Sequence, residues 1–310
     1  MTAVTSKKPA ARHLPPPKSI GERLHRARFA IARRAVQLLV LALFAGTARF
    51  GWEICGRKIL SGNLSASRFL DAIPMADPLA FLERLCAGIA PTATALTGFI
   101  ITGAVYACLG SRTFCGWICP MNMVTDAAAW IRSRLGLPAD AIRIPRAARY
   151  AVLAGTLIAS AATGTAAFEA VSPQAFLWRD LIYGTGLSAL SAALAVFALE
   201  LGLMRDGWCG HLCPLGAFWA VCGKLEKPLV RISFSPEACT RCGDCVHACP
   251  ERQIIRFKSL EVARRIPTGE CLNCGRCIAV CPEGALHFVA GWSKKSVPCS
   301  HPIEHQETPS

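Results

Sequence analysis

Twelve of the seventeen cysteines in this chain fall into four short runs with metal-binding spacing. Two runs read CTRCGDCVHACP (239–250) and CLNCGRCIAVCP (271–282), each C-x2-C-x2-C-x3-C-P. In such a run three thiolates on one tight loop wrap one face of an iron–sulfur cube, and the fourth ligates a second cube. The pattern assigns Cys239, Cys242, Cys245 and Cys281 to one [4Fe–4S] centre, and Cys271, Cys274, Cys277 and Cys249 to another. The proline after each distant cysteine turns the chain out of the site. Gly243 and Gly275 allow backbone to approach the sulfides. Zinc is the competing metal, but zinc sites use paired C-x2-C units rather than two three-cysteine loops.

The other two runs, FCGWICP (114–120) and WCGHLCP (208–214), repeat only the closing half of the motif. Cys115 and Cys119 share one face of a helix, which Pro120 favours ending at Cys119. Cys209, Cys213 and Pro214 repeat this arrangement. Two thiols cannot enclose a cluster, but two pairs brought together make four. One reading is that Cys115, Cys119, Cys209 and Cys213 converge on a further iron–sulfur centre. The other is a thiol surface for partner docking or cluster insertion. His211, between two cysteines, is the candidate redox or catalytic residue. Cys55, Cys86, Cys108, Cys222 and Cys299 fit no run; most read as small buried hydrophobes, and Cys299 falls in the expected tail.

Something must place these runs. The 310 residues are 53% hydrophobic, with four long uncharged stretches. A bilayer-crossing helix needs about 20 apolar residues. Leu85–Ser111 provides 27, and Tyr150–Phe168 and Leu181–Leu199 provide 19 each. Ala35–Ala48 reaches Trp52 if Arg49 snorkels to the interface. A cleaved signal peptide is the alternative there, but 34 residues precede the stretch and no small-residue site follows. Residues 1–34 hold nine Lys and Arg against one acid, and loop 112–149 holds six against two. Loop 52–84 balances four against four, and loop 169–180 holds one against two. This alternation predicts cytoplasmic N- and C-termini in a bacterial inner membrane. It also accounts for the net charge of +14 without nucleic acid. Thiols on the cytoplasmic side stay reduced.

The expected fold is an α-helical membrane protein with four transmembrane helices in two repeats and a C-terminal α+β domain for two clusters. Each repeat is a span out, a span in and a C-x3-C-P run, which places both runs on one side. The expected divisions are a basic disordered N-terminus (1–34), a membrane domain (35–222), a two-cluster domain (223–292) and a tail (293–310).

Several stretches together resemble one known family. They are FLDAIPMADPL, PTATALTGFIIT, FCGWICPMNMVTDAAAWIRSRLG, GWCGHLCPLGAF and the two C-terminal cysteine runs. They resemble the NapH family, the ferredoxin-type membrane component of a quinol dehydrogenase in periplasmic nitrate respiration. The resemblance implies a subunit rather than a complete enzyme. It implies electrons taken from ubiquinol and passed, with a NapG-type iron–sulfur partner, toward a tetrahaem cytochrome c and nitrate reductase. Methylamine-utilisation ferredoxin-type proteins share these motifs, as do cluster-bearing redox sensors and assembly factors.

Quinol oxidation releases protons, so it needs acceptors. Glu53, Asp71, Asp77 and Glu169 are candidates on the predicted periplasmic side, and Glu200 and His211 on the cytoplasmic side. Trp117, Trp208 and Trp219 read as interfacial belt residues. Arg241, Arg252, Arg256, Arg264, Arg265 and Arg276 read as a solvated face or a docking face for an acidic partner.

Overall fold

The computed structural model describes residues 19–137, 142, 144–184, 186–225 and 228–291. The tail expected at 293–310, with Cys299, and the N-terminus up to residue 18 lie outside the described residues.

Helix α1 runs over Ile20–Phe50. The boundary expected at residue 34 is therefore corrected, since residues 20–34 are helical. The cause is local: Ser19 caps the helix by accepting from Glu22 N at 3.1 Å, a capping-box pairing of residue types. Glu22 also pairs with Arg26 one turn on. The 31 residues span about 46 Å. Among the described residues α1 is the one helix long and apolar enough to cross a membrane by length and composition.

The link to the second apolar stretch folds rather than looping. A hairpin of β1 (Glu53–Ile54) and β2 (Arg57–Lys58) precedes an antiparallel sheet of β3 (Leu60–Gly62), β4 (Ala66–Phe69) and β5 (Ile73–Ala76). Asp77 then caps α2 (Pro78–Cys86) by accepting from Leu79 N. The run expected as one span from Leu85 is divided, because Gly88 takes φ +76° and Pro91 cannot continue a helix. Thr92 caps the new helix α3 (Ala93–Leu109). Short α4 (Thr113–Trp117) carries Cys115, and α5 (Met121–Leu135) starts after Pro120.

The stretch that follows is helical. Helix α6 (Ala148–Thr163) stops at Gly164 in the left-handed region. Helices α7 (Ala167–Val171) and α8 (Pro173–Tyr183) take up the end of one expected span and the start of the next. Helix α9 (Leu187–Gly202) follows, then a π-helical turn over Trp208–Leu212 and α10 (Pro214–Leu225). Helix α3 has no charged residue, yet only Gly98 and Tyr106 of its 17 residues are buried. Apolar residues such as Ile100 on α3, Leu190 and Leu194 on α9 and Leu39 on α1 face outward.

The C-terminal unit pairs β6 (Val230–Phe234) antiparallel with β7 (Leu286–Ala290), from Val230↔Ala290 to Phe234↔Leu286. Helices α11 (Asp244–Ala248), α12 (Phe257–Ala263) and α13 (Arg276–Ala279) complete it. Its core joins Ile232, Phe234, Ile255, Leu260 and Ile266 to the cysteines. Helix α1 reaches this unit: Phe29 meets Phe288 edge-on at 5.5 Å.

Candidate metal centres

The two C-terminal runs fold as the same loop twice. Arg241 and Gly243 in the first, and Asn273 and Gly275 in the second, all take positive φ. In each loop the backbone N–H two residues on donates to the first sulfur at 3.4 Å, Arg241 N to Cys239 and Asn273 N to Cys271. The loops curl their amides inward, and helices α11 and α13 carry the third cysteines, Cys245 and Cys277.

The distant cysteines cross over. Cys281 shares a small hollow with Cys239, Cys242 and Cys245. Burial first, then the neighbouring Cys281, Cys242 and Cys239, push the Cys245 thiol up to about 12. Cys249 instead stands by the second loop: burial first, then Cys274 and Cys271, push its thiol up. Burial, then Cys274, Cys271 and Cys249, do the same for Cys277. Cys281 thus stands by the first loop and Cys249 by the second.

The four cysteines of the half-motifs also meet, inside the helical body. Cys119 and Cys213 are buried in a core with Leu79, Tyr106, Phe114, Phe168 and Trp219, and Cys115 packs against it. Burial, then Cys115 and Cys213, push the Cys119 thiol up to about 12. Burial, then Cys213, Cys119 and Cys115, push Cys209 up. Gln174 Nε2 donates to Cys119 Sγ at 3.7 Å. Gln174 carried no cysteine-like signal in the sequence and was missed.

A buried seam joins this core to the second loop. At Gly116 a Cβ would stand 2.8 Å from the Leu272 carbonyl oxygen and 3.6 Å from Cys274 Cβ, so this approach requires glycine. Trp117 Nε1 donates to Asn273 O at 3.0 Å, and Asn273 Nδ2 donates to Leu109 O at 2.9 Å and Val230 O at 3.2 Å. Arg112 donates to Glu251 Oε1 at 2.6 Å and Glu270 O at 3.1 Å. Arg149 donates to Glu251 Oε1 at 3.1 Å and pairs with Glu270, and Arg146 pairs with Glu251. Burial alone would push the Glu251 carboxyl up, but Arg112, Arg146 and Arg149 hold it down at about 2.

The donor set fits iron–sulfur clusters. None of the described cysteines forms a disulfide. Crowded buried thiols resist ionisation, and a cationic core offsets the charge they take on as ligands. Among the described residues no three His, Cys, Asp or Glu groups close on a single-ion site. One zinc ion draws its thiolates to about 2.3 Å. A cluster presents a separate iron to each of its four cysteines, so it spreads them wider.

Comparison with known proteins agrees. A family model described as a 4Fe-4S dicluster domain matches residues 231–282. A second, described as a 4Fe-4S binding domain, matches twice, at 92–138 and 185–232, the two half-motif regions. "Ferredoxin-type protein NapH" of Escherichia coli is 40% identical over 236 residues, 76% of this chain and 79% of that protein. The protein of the same name from Haemophilus influenzae is 43% identical over 231 residues, 74% of this chain and 77% of that one. The chain belongs to the NapH family of ferredoxin-type proteins. "Methylamine utilization ferredoxin-type protein MauN" of Methylorubrum extorquens is nearly as similar, 41% identical over 72% of this chain and 75% of that one. No solved structure matches. This NapH-type chain is therefore a ferredoxin-type electron-transfer protein with 4Fe–4S binding domains. The apolar α1 is long enough to cross a membrane by length and composition, as a membrane protein requires.

The remaining candidates separate in the NapH-type fold. Asp71 is exposed and accepts from Lys58 N and Ser61 Oγ, holding the β-insert together, and Glu53 is exposed in β1. Asp77 and Glu169 lie close to each other and to Glu83, which is fully buried. In the sequence Glu83 is only one of the four acids of loop 52–84. Glu200 is buried and accepts from Trp208 N at 2.8 Å. His211 is buried in the π-helical turn, with Nδ1 3.1 Å from the Asp206 carbonyl. That acceptor places a proton on Nδ1. Burial first lowers the His211 pKa, which favours neutral imidazole. The tryptophan belt is corrected. Trp219 is buried against Tyr106 at 5.0 Å, Trp208 packs on the same core and Trp117 lies in the seam. Of the six arginines on the expected docking face, Arg241, Arg264 and Arg276 pair internally with Glu261, Glu237 and Asp126.

Proposed function

We propose that this chain is the membrane-anchored electron-transfer subunit of a quinol dehydrogenase. Four helices, α1, α3, α6 and α9, cross the bilayer, with both termini and the ferredoxin unit on the cytoplasmic side. Their outward apolar residues support this, because an all-apolar helix that is not buried in protein needs lipid. Cys239, Cys242, Cys245 and Cys281 hold one [4Fe–4S] cluster, and Cys271, Cys274, Cys277 and Cys249 the other. Cys115, Cys119, Cys209 and Cys213 hold a further iron–sulfur centre. Such clusters, when bound, supply one-electron steps at potentials set by charge, hydrogen bonds to sulfur and exposure. Electrons enter from ubiquinol and leave, with a NapG-type iron–sulfur protein, toward a periplasmic tetrahaem cytochrome c and nitrate reductase.

The observation that carries this reading is the close seam at Gly116 and Leu272. It sets the four-cysteine core of the helical body directly against the second ferredoxin loop. The test is anaerobic mixing of the purified protein with a short-tail ubiquinol, with and without the NapG-type partner. Cluster absorbance bleaches if the reading holds. Iron-replete protein that stays oxidised in both mixtures overturns it.

A second reading has its own support, the 41% identity to a MauN protein. There the same core and loops serve methylamine utilisation. Restoration of nitrate respiration in a strain lacking its own NapH favours the first reading. Restoration of methylamine growth alone favours the second.

A further inference from the structure

Two cavities meet at Glu169, at the end of the helical body away from the ferredoxin unit. The larger, about 630 Å³, lies between Thr92 and Ala95 of α3, Phe81 and Arg84 of α2, and Met75 of β5. The smaller, about 550 Å³, is bounded by Thr47 of α1 and Trp178 of α8. Glu169 lines both. Its Oε1 accepts from Ser65 Oγ at 2.6 Å, which uses one of about four lone-pair sites on a carboxylate.

The larger cavity lies beside the hydrophobic core that holds two of the cysteines. Phe168 and Leu79 belong to the core that holds Cys119 and Cys213. Their chain neighbours Glu169 and Ala80 line the cavity. Buried polar groups stand beside this core. Glu83 is fully buried, with Oε1 accepting from Phe168 N at 2.7 Å and Ser160 Oγ at 3.3 Å. Its Oε2 is buried without a partner. Asp77 stands near both Glu83 and Glu169, and burial first, then Glu169 and Glu83, push it up to about 7.

We propose that the larger cavity binds a quinol headgroup, with a ring hydroxyl donating to the Glu169 carboxylate and the ring against Phe81. Ligand cavities typically measure about 300–1,000 Å³, mostly apolar with a few placed polar groups. The lining here sets Met75, Phe81, Leu85 and Ile89 beside Glu169, Arg68 and Arg84. A carboxylate accepts from the reduced O–H, and the Arg84 guanidinium donates to the oxidised carbonyl. A headgroup here sits beside the core that holds Cys119 and Cys213. The inference rests on the quinol reading above and gives it a location.

The test is equilibrium binding of decylubiquinone to the full-length, iron-replete protein in detergent. Ala95→Trp fills the cavity without touching a cysteine or an acid and weakens binding about tenfold or more. Glu169→Gln weakens it several-fold. Leu190→Trp, on the outward face of α9, leaves it unchanged. Iron content is the same in all. Wild-type affinity in both cavity variants overturns the site, as does equal displacement of the probe by 1-decanol. Iron-replete wild type that fails to bind decylubiquinone sinks the quinol reading itself. If Ala95→Trp does not fold, an azidoquinone photolabel on the wild type decides. Label within residues 61–68, 74–95 or 166–169, the segments that line the cavity, supports the site, and label elsewhere overturns it.

Discussion

Arg112 Nη1 donates to Glu251 Oε1 at 2.6 Å across 139 residues of chain, and both side chains are almost wholly buried. The same guanidinium reaches every cysteine run. It lies near the Cys115 thiol, donates to Cys209 O at 3.5 Å and to Glu270 O just before Cys271, and pairs with Glu251 two residues after Cys249. Buried charges hold together only when paired, so the seam responds unequally to loss of either partner. Glu251→Gln strands Arg112 and Arg149 with Glu270 alone and costs about 3–5 kcal/mol. Arg112→Gln costs less, because Arg146 and Arg149 still hold Glu251. Thermal midpoints in detergent check this. Equal midpoints for the two variants would contradict the asymmetry.

Gly275 and Gly243 occupy equivalent loop positions with different surroundings. At Gly275 (φ +72°) a Cβ would stand 2.6 Å from the Phe29 ring, whereas at Gly243 (φ +89°) nothing lies within 4 Å. Gly243→Ala therefore costs only the left-handed strain, about 1–2 kcal/mol. Gly275→Ala costs more and loosens α1 from the ferredoxin unit. Denaturation of the two variants side by side tests the ranking.

Anaerobically purified protein carries at least eight irons, about four per ferredoxin cluster. Cys242→Ser loses one cluster and weakens the other, since the loops exchange their fourth ligands. Cys115→Ser and Cys213→Ser lose equal iron while both ferredoxin signals remain in electron paramagnetic resonance. Unchanged iron in both would refute the convergent centre.

Asp77 titrates in a predictable direction. Its folded pKa of about 7 lies above the ordinary 3.8. The folded state thus binds the proton more tightly than the unfolded chain. This stability is present below about pH 4 and is lost as pH rises through about 7. Asp77→Asn keeps an acceptor for Leu79 N and removes the titration. The variant gains stability over wild type as pH rises from about 4 to 7, read from melting curves across that range.

A reporter fused after Ala290 is active only as a cytoplasmic type, and fusions near residue 60 only as a periplasmic type. Periplasmic activity after Ala290 would invert the proposed orientation.

The ferredoxin loops were legible in the sequence because their chemistry is local. Each C-x2-C-x2-C loop needs a tight path past its sulfurs, and Gly243 and Gly275 stand where that path takes positive φ. The crossing of Cys249 and Cys281 is the expectation of the two-cluster pattern, in which the fourth cysteine of each run serves the other cluster. The apolar stretches were visible too, but not their ends. A hydropathy run ignores Gly88, Pro91 and Gly164, whose backbone constraints stop the helices early. The β-insert over 53–76 was hidden because its strands are two to four residues long, too short for an alternating pattern.

Only the tertiary structure decided which polar groups work in the interior. Glu83 accepts from Phe168 N across 85 residues, Gln174 reaches Cys119 across 55, and Arg112 joins four runs at once. A buried polar side chain survives where a distant partner meets it, so its role is written in the packing and leaves no periodic mark on its own segment.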